Sequence, residues 1–228
     1  MAAGNLSQKE QDLLRYFEQF ISAHKQERIT EVLSMRTRHI TVVMEDIHNS
    51  YNASAVLRSC ECFGVQDIHI IEKQNHFQPS TRVSRGSFRW TDLHFYTGEE
   101  EEGPDCFVHL REQGYKIVAT TPHTDAYTPA NIPLEGKLAF AFGREMTGLS
   151  QHVLSHADMH LTIPMYGFTE SLNISVSAAI LLDKIINRLH QSDLSWRLPI
   201  DQQDALRLRW YRTILKHADR IEKEFMNP

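Results

Sequence analysis

The chain has 228 residues, 41% hydrophobic and 23% charged, with 24 Lys and Arg against 29 Asp and Glu for a net charge of −5. That composition fits one compact domain with appendages, or two small ones. It excludes collagenous and low-complexity chains, and no apolar run approaches the roughly 20 residues needed to span a bilayer. The segment Met1–Glu10 shows no basic stretch followed by an apolar one, so no secretory signal is expected. Cys60, Cys62 and Cys106 are too few for a disulfide framework and wrongly spaced for Cys-x-x-Cys. They read as reduced thiols of a cytoplasmic protein. The negative charge argues against a general polyanion binder, but local basic patches remain open.

In chain order, Leu13, Leu14, Phe17, Phe20 and Ile21 recur at helical spacing, so residues 7–35 read as one or two helices. The β-branched run Ile40 to Met44 reads as a strand. Ala53 to Phe63 reads as a helix stopped by Gly64, and Asp67 to Ile71 as a second strand. Cys106 to Gln113 is helical up to Gly114, and Lys116 to Ala119 and Leu138 to Phe142 are strands. Ser150 to Ala157 is helical, His160 to Ile163 is a strand, and Asn173 to Arg188 is an apolar-striped helix. A last helix within 195–228 carries Leu206, Trp210, Ile214 and Ile221 on one face. Strands alternating with helices predict βαβ units and a mostly parallel α/β sheet.

Two stretches depart from this pattern. Glu99 to Glu102 is an acidic run, expected to be a solvated loop or helix start. Ser80 to Trp90 is the most basic local stretch, with Arg82, Arg85 and Arg89 and no acid between them. Phe88 and Trp90 within it are either base-stacking rings or core aromatics.

Several motifs fail on chemistry. Gly143 to Ser150 has the glycine spacing of a phosphate loop, but Leu149 stands at the lysine position. No Gly-x-Gly-x-x-Gly follows a strand. His152, His156 and His160 are four apart, yet the last falls on a strand, so no metal site is expected.

Three segments place polar or glycine residues where the fold would prefer apolar ones. Asn52 stands where a loop enters a helix, a position that also suits an N-cap, and Arg58 follows nearly two turns on. Phe142-Gly-Arg-Glu145-Met-Thr-Gly148-Leu follows an apolar strand, and in open α/β sheets ligands bind at the carboxyl ends of strands. Ile163-Pro-Met leads through Gly167 to Ser171-Leu-Asn173-Ile-Ser-Val-Ser-Ala178, a helix start rich in small residues.

In this order and at these spacings, the three segments resemble the three motifs of the SPOUT superfamily of RNA methyltransferases, in its SpoU branch. The matching positions are Asn52 and Arg58, then Gly143, Glu145, Gly148 and Leu149, then Ile163 to Met165 and Ser171 to Ala178. The resemblance implies a parallel-sheet α/β core over 38–190 with a C-terminal deep trefoil knot, flanked by helical extensions over 1–37 and 191–228. It implies S-adenosylmethionine as cofactor, lined by Thr120, Gly143, Ile163 and Leu172, and a homodimer. Methyl transfer to a ribose 2′-hydroxyl would rest on Arg58 and Asn52, with Glu145, Ser171 and Asn173 organising the site. A guanidinium holds its proton well above neutral pH, so that role for Arg58 calls for help from a substrate phosphate. The terminal helices and the Ser-Phe-Arg-Trp90 stretch look most like the branch's tRNA guanosine-18 ribose methyltransferases. The expected partner is therefore tRNA, not DNA and not a membrane. RNA contacts are expected from Arg82, Arg85 and Arg89, with Arg28, Arg36 and Arg38 from the terminal extension and its boundary. A ribosomal RNA methyltransferase and a catalytically silent RNA binder are the alternatives. The four polar positions Asn52, Arg58, Glu145 and Asn173 favour the enzyme.

Overall fold

The computed structural model describes residues 6–97, 106–122 and 127–227. The acidic run Glu99 to Glu102 lies outside them. The described residues fall into two compact units, Thr37–Trp196 and the terminal segments up to Arg36 and from Arg197. The two extensions expected at either end thus form one unit together. No helix among the described residues is long and apolar enough to cross a membrane.

The larger unit is a six-stranded parallel sheet. Its strands are β1 (Ile40–Glu45), β2 (Asp67–Glu72), β3 (Asp92–Thr97), β4 (Tyr115–Thr120), β5 (Lys137–Phe142) and β6 (Met159–Leu161), in the order β3-β2-β1-β5-β4-β6. All six residues of β1 are buried, as a central strand covered on both faces requires. The alternation along β5 sends Leu138, Phe140 and Phe142 to one face and Ala139 and Ala141 to the other. On the first face lie α3 (Ser50–Cys62) and α7 (Ile174–His190); on the second lie α5 (Cys106–Glu112) and α6 (Gln151–His156). A single turn, α4 (Thr81–Ser84), follows β2. β6 is held on one edge by β4 and on the other by Tyr127. The Tyr127 N–H donates to the His160 carbonyl at 3.1 Å, and its own carbonyl accepts from Thr162 at 2.8 Å. From the end of α7, Arg188 donates to the Pro129 and Ile132 carbonyls, both at 2.8 Å.

β3 and α3 differ instructively from the sequence expectation. β3 has no counterpart in it, because this is an edge strand whose six positions are at most half-buried and whose polar residues alternate with Leu93 and Phe95. The helix expected from Ala53 begins three residues earlier. Its N-cap is Asn49, whose Oδ1 accepts from the Tyr51 N–H at 2.9 Å. Asn52 is therefore inside α3, and its side chain is free for other work.

In the smaller unit, α1 (Gln8–Glu18) opens on a capping box between Ser7 and Glu10. With α2 (Ala23–Ser34), α8 (Ile200–Ile214) and α9 (Ala218–Met226), it encloses Leu13, Phe17, Leu208, Tyr211 and Ile221. The single C-terminal helix expected is thus two. The chain breaks at Leu215, which is extended, and at His217, which is left-handed with φ +63°. The break lets Leu208 and Ile221 enter the same core, which one straight helix would prevent.

Candidate active site

The second motif leaves the carboxyl end of β5 as a tight loop. Arg144 and Gly148 exchange backbone hydrogen bonds at 3.0 and 2.9 Å. A Cβ on Gly143 would collide with the backbone of Gly148 and Leu149, and Gly148 has φ +70°. The loop needs the first glycine for close approach and the second for its left-handed backbone.

The third motif follows β6 and ends where Asn173 caps α7. The Asn173 Oδ1 accepts from the Ser175 N–H at 2.9 Å. Its Nδ2 donates to the Asn52 Oδ1 at 3.2 Å, and the Asn52 Nδ2 donates to the Glu145 Oε1 at 2.9 Å. One polar chain, Asn173–Asn52–Glu145, therefore joins all three motifs across more than 90 residues of sequence in each step.

These loops bound a cleft of about 530 Å³, at the carboxyl ends of the strands. Thr120, Gly143, Ile163 and Leu172, expected at a cofactor, line it together with Glu145, Ser171 and Asn173. Leu149 and Leu161 add apolar wall. The Thr120 hydroxyl donates to the Ala141 carbonyl at 2.7 Å, so Thr120 shapes the cleft while its polar atom serves the sheet. The Glu145 Oε2 is buried and accepts no hydrogen bond from the described residues. A buried carboxylate oxygen in that condition favours a ligand that brings an N–H or O–H donor.

Arg58 does not line this cleft. It is exposed, and it makes no hydrogen bond or ion pair among the described residues. Six residues along a helix turn its side chain about 120° from that of Asn52. It sits instead one turn beyond Ser54, whose hydroxyl accepts from the Ser80 N–H at 2.8 Å. The basic stretch is thereby fastened beside Arg58. Arg82, Arg85 and Arg89 in that stretch are all exposed, and Phe88 packs partly into the core.

Two of the expected RNA contacts are engaged within the fold. Arg36 is 1% exposed, with its guanidinium 5.3 Å from the centre of the Trp210 ring. Arg38 is ion-paired with Asp67 at 2.7 Å and Asp92 at 2.6 Å. A guanidinium that is buried, or held between two carboxylates, does not present charge to a phosphate. Arg28 is exposed but paired with Glu31 at 2.9 Å. Burial alone would raise Asp67, but the hydrogen bond from His94 and the Arg38 charge prevail and hold it below the ordinary carboxylate range. Nearby on β2, burial and the adjacent His94 push His69 down to about 3. Among the described residues no group of three or more His, Cys, Asp or Glu side chains is placed to hold a metal.

Sequence reasoning misses the acid pair at the end of β1. Glu45 accepts from Lys73 Nζ at 3.0 Å, from Ser150 Oγ at 2.6 Å and from the Ser150 N–H at 2.8 Å. Asp46 Oδ1 accepts from three successive N–H groups, Lys73, Gln74 and Asn75, at 3.0, 2.9 and 2.8 Å. Its Oδ2 binds Arg144. Burial works to raise Asp46, but these donors outweigh it and hold the carboxyl low. Adjacent acids ending a buried apolar strand are the signal that could have found them.

Comparison with known proteins agrees with this geometry. A protein of Borreliella burgdorferi named tRNA (guanosine(18)-2′-O)-methyltransferase is 40% identical over 89% of this chain and 91% of its own length. One of the same name from Thermus thermophilus is 34% identical over 69% of this chain and 79% of its own. Among solved structures, the A. aeolicus TrmH/SpoU tRNA modifying enzyme superposes with a TM-score of 0.71 at 23% identity. It covers 85% of this chain and 98% of that one. The Streptomyces viridochromogenes SpoU methyltransferase AviRb, solved with AdoMet, gives 0.60 at 20% identity, over 71% of this chain and 65% of that one. These two likenesses establish the fold. Residues 39–183, which carry all three motifs and the cleft they build, match the SpoU rRNA Methylase family, and the chain belongs to it.

Proposed function

We propose that this protein is an S-adenosylmethionine-dependent ribose 2′-O-methyltransferase acting on guanosine 18 of tRNA. The observation that carries the reading is the Asn173–Asn52–Glu145 chain, which brings the three motifs to one cleft at the strand ends. The tRNA target follows the name carried by relatives up to 40% identical.

The cleft suits the cofactor. Leu149, Leu161, Ile163 and Leu172 offer apolar contact, Gly143 lets backbone approach closely, and the Glu145 Oε2 accepts a donor. Bound there, S-adenosylmethionine supplies an electrophilic methyl group. The chain's own residues then have to align a ribose hydroxyl with it and take up the proton. Asn52 and Asn173 fix the Glu145 carboxylate, and Ser171 stands at the same rim. Arg58, exposed and beside the basic stretch, meets the substrate phosphate, and the phosphate assists removal of the hydroxyl proton.

Arg58 faces away from its own chain's cleft, so this reading needs a second copy to complete the site. Leu172, just before the α7 cap, and Val176 and Ile180 along α7 are exposed and form an apolar stripe that suits a homodimer interface. The passage of β6 between β4 and Tyr127, with Arg188 returning to Pro129 and Ile132, supports a deep trefoil knot. A tRNA substrate supports a cytoplasmic location.

The test is methyl transfer from labelled S-adenosylmethionine to unmodified tRNA and, in parallel, to unmodified ribosomal RNA, followed by mapping of ribose methylation. Product at guanosine 18 that disappears with 2′-deoxyguanosine there is the expected result. Label confined to ribosomal RNA would assign the other substrate in the family's name, and no label on either RNA would sink the enzyme reading.

A further inference from the structure

Glu45 and Asp46 hold the same two loops. Glu45 joins Lys73 to Ser150, the end of the cofactor loop. Asp46 joins the backbone of Lys73, Gln74 and Asn75 to Arg144, its beginning. The two carboxylates are 3% and 2% exposed, so water does not compete with either bracket. Asp46 adopts φ +52°, a left-handed conformation that a non-glycine residue holds at a cost. The strain aims one oxygen at each loop.

The chain beyond 73–75 is fastened at two points. The Phe77 N–H donates to Glu72 Oε1 at 2.6 Å and the Ser80 N–H to Ser54 at 2.8 Å. Beyond Ser80 stand Arg82, Arg85 and Arg89. On the other side, Arg144 is itself part of the cleft wall. Hydrogen bonds thus tie the 73–75 backbone to the cofactor loop through two buried carboxylates, and the chain runs on from there to the basic stretch.

We propose that Glu45 and Asp46 are positioning residues that couple the basic stretch to the cofactor loop, so that RNA on the one and cofactor in the other strengthen each other's binding. The proposal rests on the reading of Arg82, Arg85 and Arg89 as an RNA surface. A shift of the 73–75 backbone moves the Asp46 carboxylate, and that carboxylate sets Arg144. By linkage, the factor by which tRNA tightens cofactor binding equals the factor by which cofactor tightens tRNA binding.

The experiment is a calorimetric titration of the full chain with S-adenosylmethionine, with and without saturating unmodified tRNA, for wild type, Asp46→Asn and Glu45→Gln. Wild type is expected to bind cofactor about fivefold or more tightly with tRNA present, the lower end of ordinary allosteric coupling. Asp46→Asn is expected to bring that ratio below about twofold while its tRNA affinity without cofactor stays at the wild-type value. A merely structural role would lower both affinities and leave the ratio alone. An unchanged ratio in Asp46→Asn, or no coupling in wild type, overturns the proposal. If Asp46→Asn does not fold, Glu45→Gln decides by the same ratio, because it breaks the other bracket, between Lys73 and Ser150. Failure of the RNA-surface reading looks different: the triple variant of Arg82, Arg85 and Arg89 would then bind tRNA as tightly as wild type.

Discussion

Two short basic stretches, Arg36-Thr-Arg38 and the run from Arg82 to Arg89, look alike as sequence and fare differently in the fold. In the first, Arg36 lies against Trp210, and Arg38 is neutralised by Asp67 and Asp92, which arrive from 29 and 54 residues away. In the second, the arginines are exposed, and Arg82 and Arg85 have no carboxylate partner among the described residues. Whether a cation is available to a polyanion thus depends on carboxylates that strand pairing brings to it. Local charge density does not report that.

The comparison is sharpened first by Arg58, an arginine of the second kind, exposed and unpaired among the described residues. Arg58→Ala is expected to lower kcat by about 100- to 10,000-fold, the range for removal of a proton-transfer group, with cofactor affinity kept. Single-turnover rates and calorimetry on the same preparation check it; near-normal turnover would remove Arg58 from the mechanism. Arg38→Ala belongs to the first kind. It leaves Asp67 and Asp92 facing each other without their shared cation, and is expected to cost about 3 kcal/mol of folding stability. Urea denaturation measures that drop, while the salt dependence of tRNA binding stays at the wild-type slope.

The reverse is expected for Arg82, Arg85 and Arg89 replaced together by Ala. Folding stability changes by less than about 0.5 kcal/mol per exposed site. The log–log salt slope of tRNA binding falls by roughly 0.7 to 0.9 for each phosphate that is no longer neutralised. Equal slopes before and after would make this stretch ordinary solvated surface. A further contrast concerns pH beside Arg38. His69 is held down from 6.5 to about 3, so the unfolded chain takes its proton first as the solution is acidified. Its contribution is complete above about pH 6.5 and is lost as pH falls toward 3. His69→Phe should flatten that part of the stability profile; an identical profile would show that His69 titrates normally.

The sequence by itself determined the alternation of strands and helices, because period-2 and period-3.6 apolar patterns are local. It also marked the residues of the cleft, since Gly143, Glu145, Ser171 and Asn173 interrupt those patterns at strand ends and helix starts. Only the tertiary structure decided which side chains meet. Asn52 suits an N-cap in sequence, but Asn49 takes that place, and Asn52 turns to Glu145 and Asn173. β3 escapes a sequence reading because an edge strand buries too little to show a pattern. The C-terminal helices part at His217 to place Ile221 and Leu208 in one core, a demand no local residue announces. Arg36 and Arg38 are engaged inside the fold, and Glu45 and Asp46 each bridge two loops, for the same reason. A charge acts through its partners, and those of Arg38, Glu45 and Asp46 lie 27 to 105 residues away, brought within hydrogen-bonding distance by the fold.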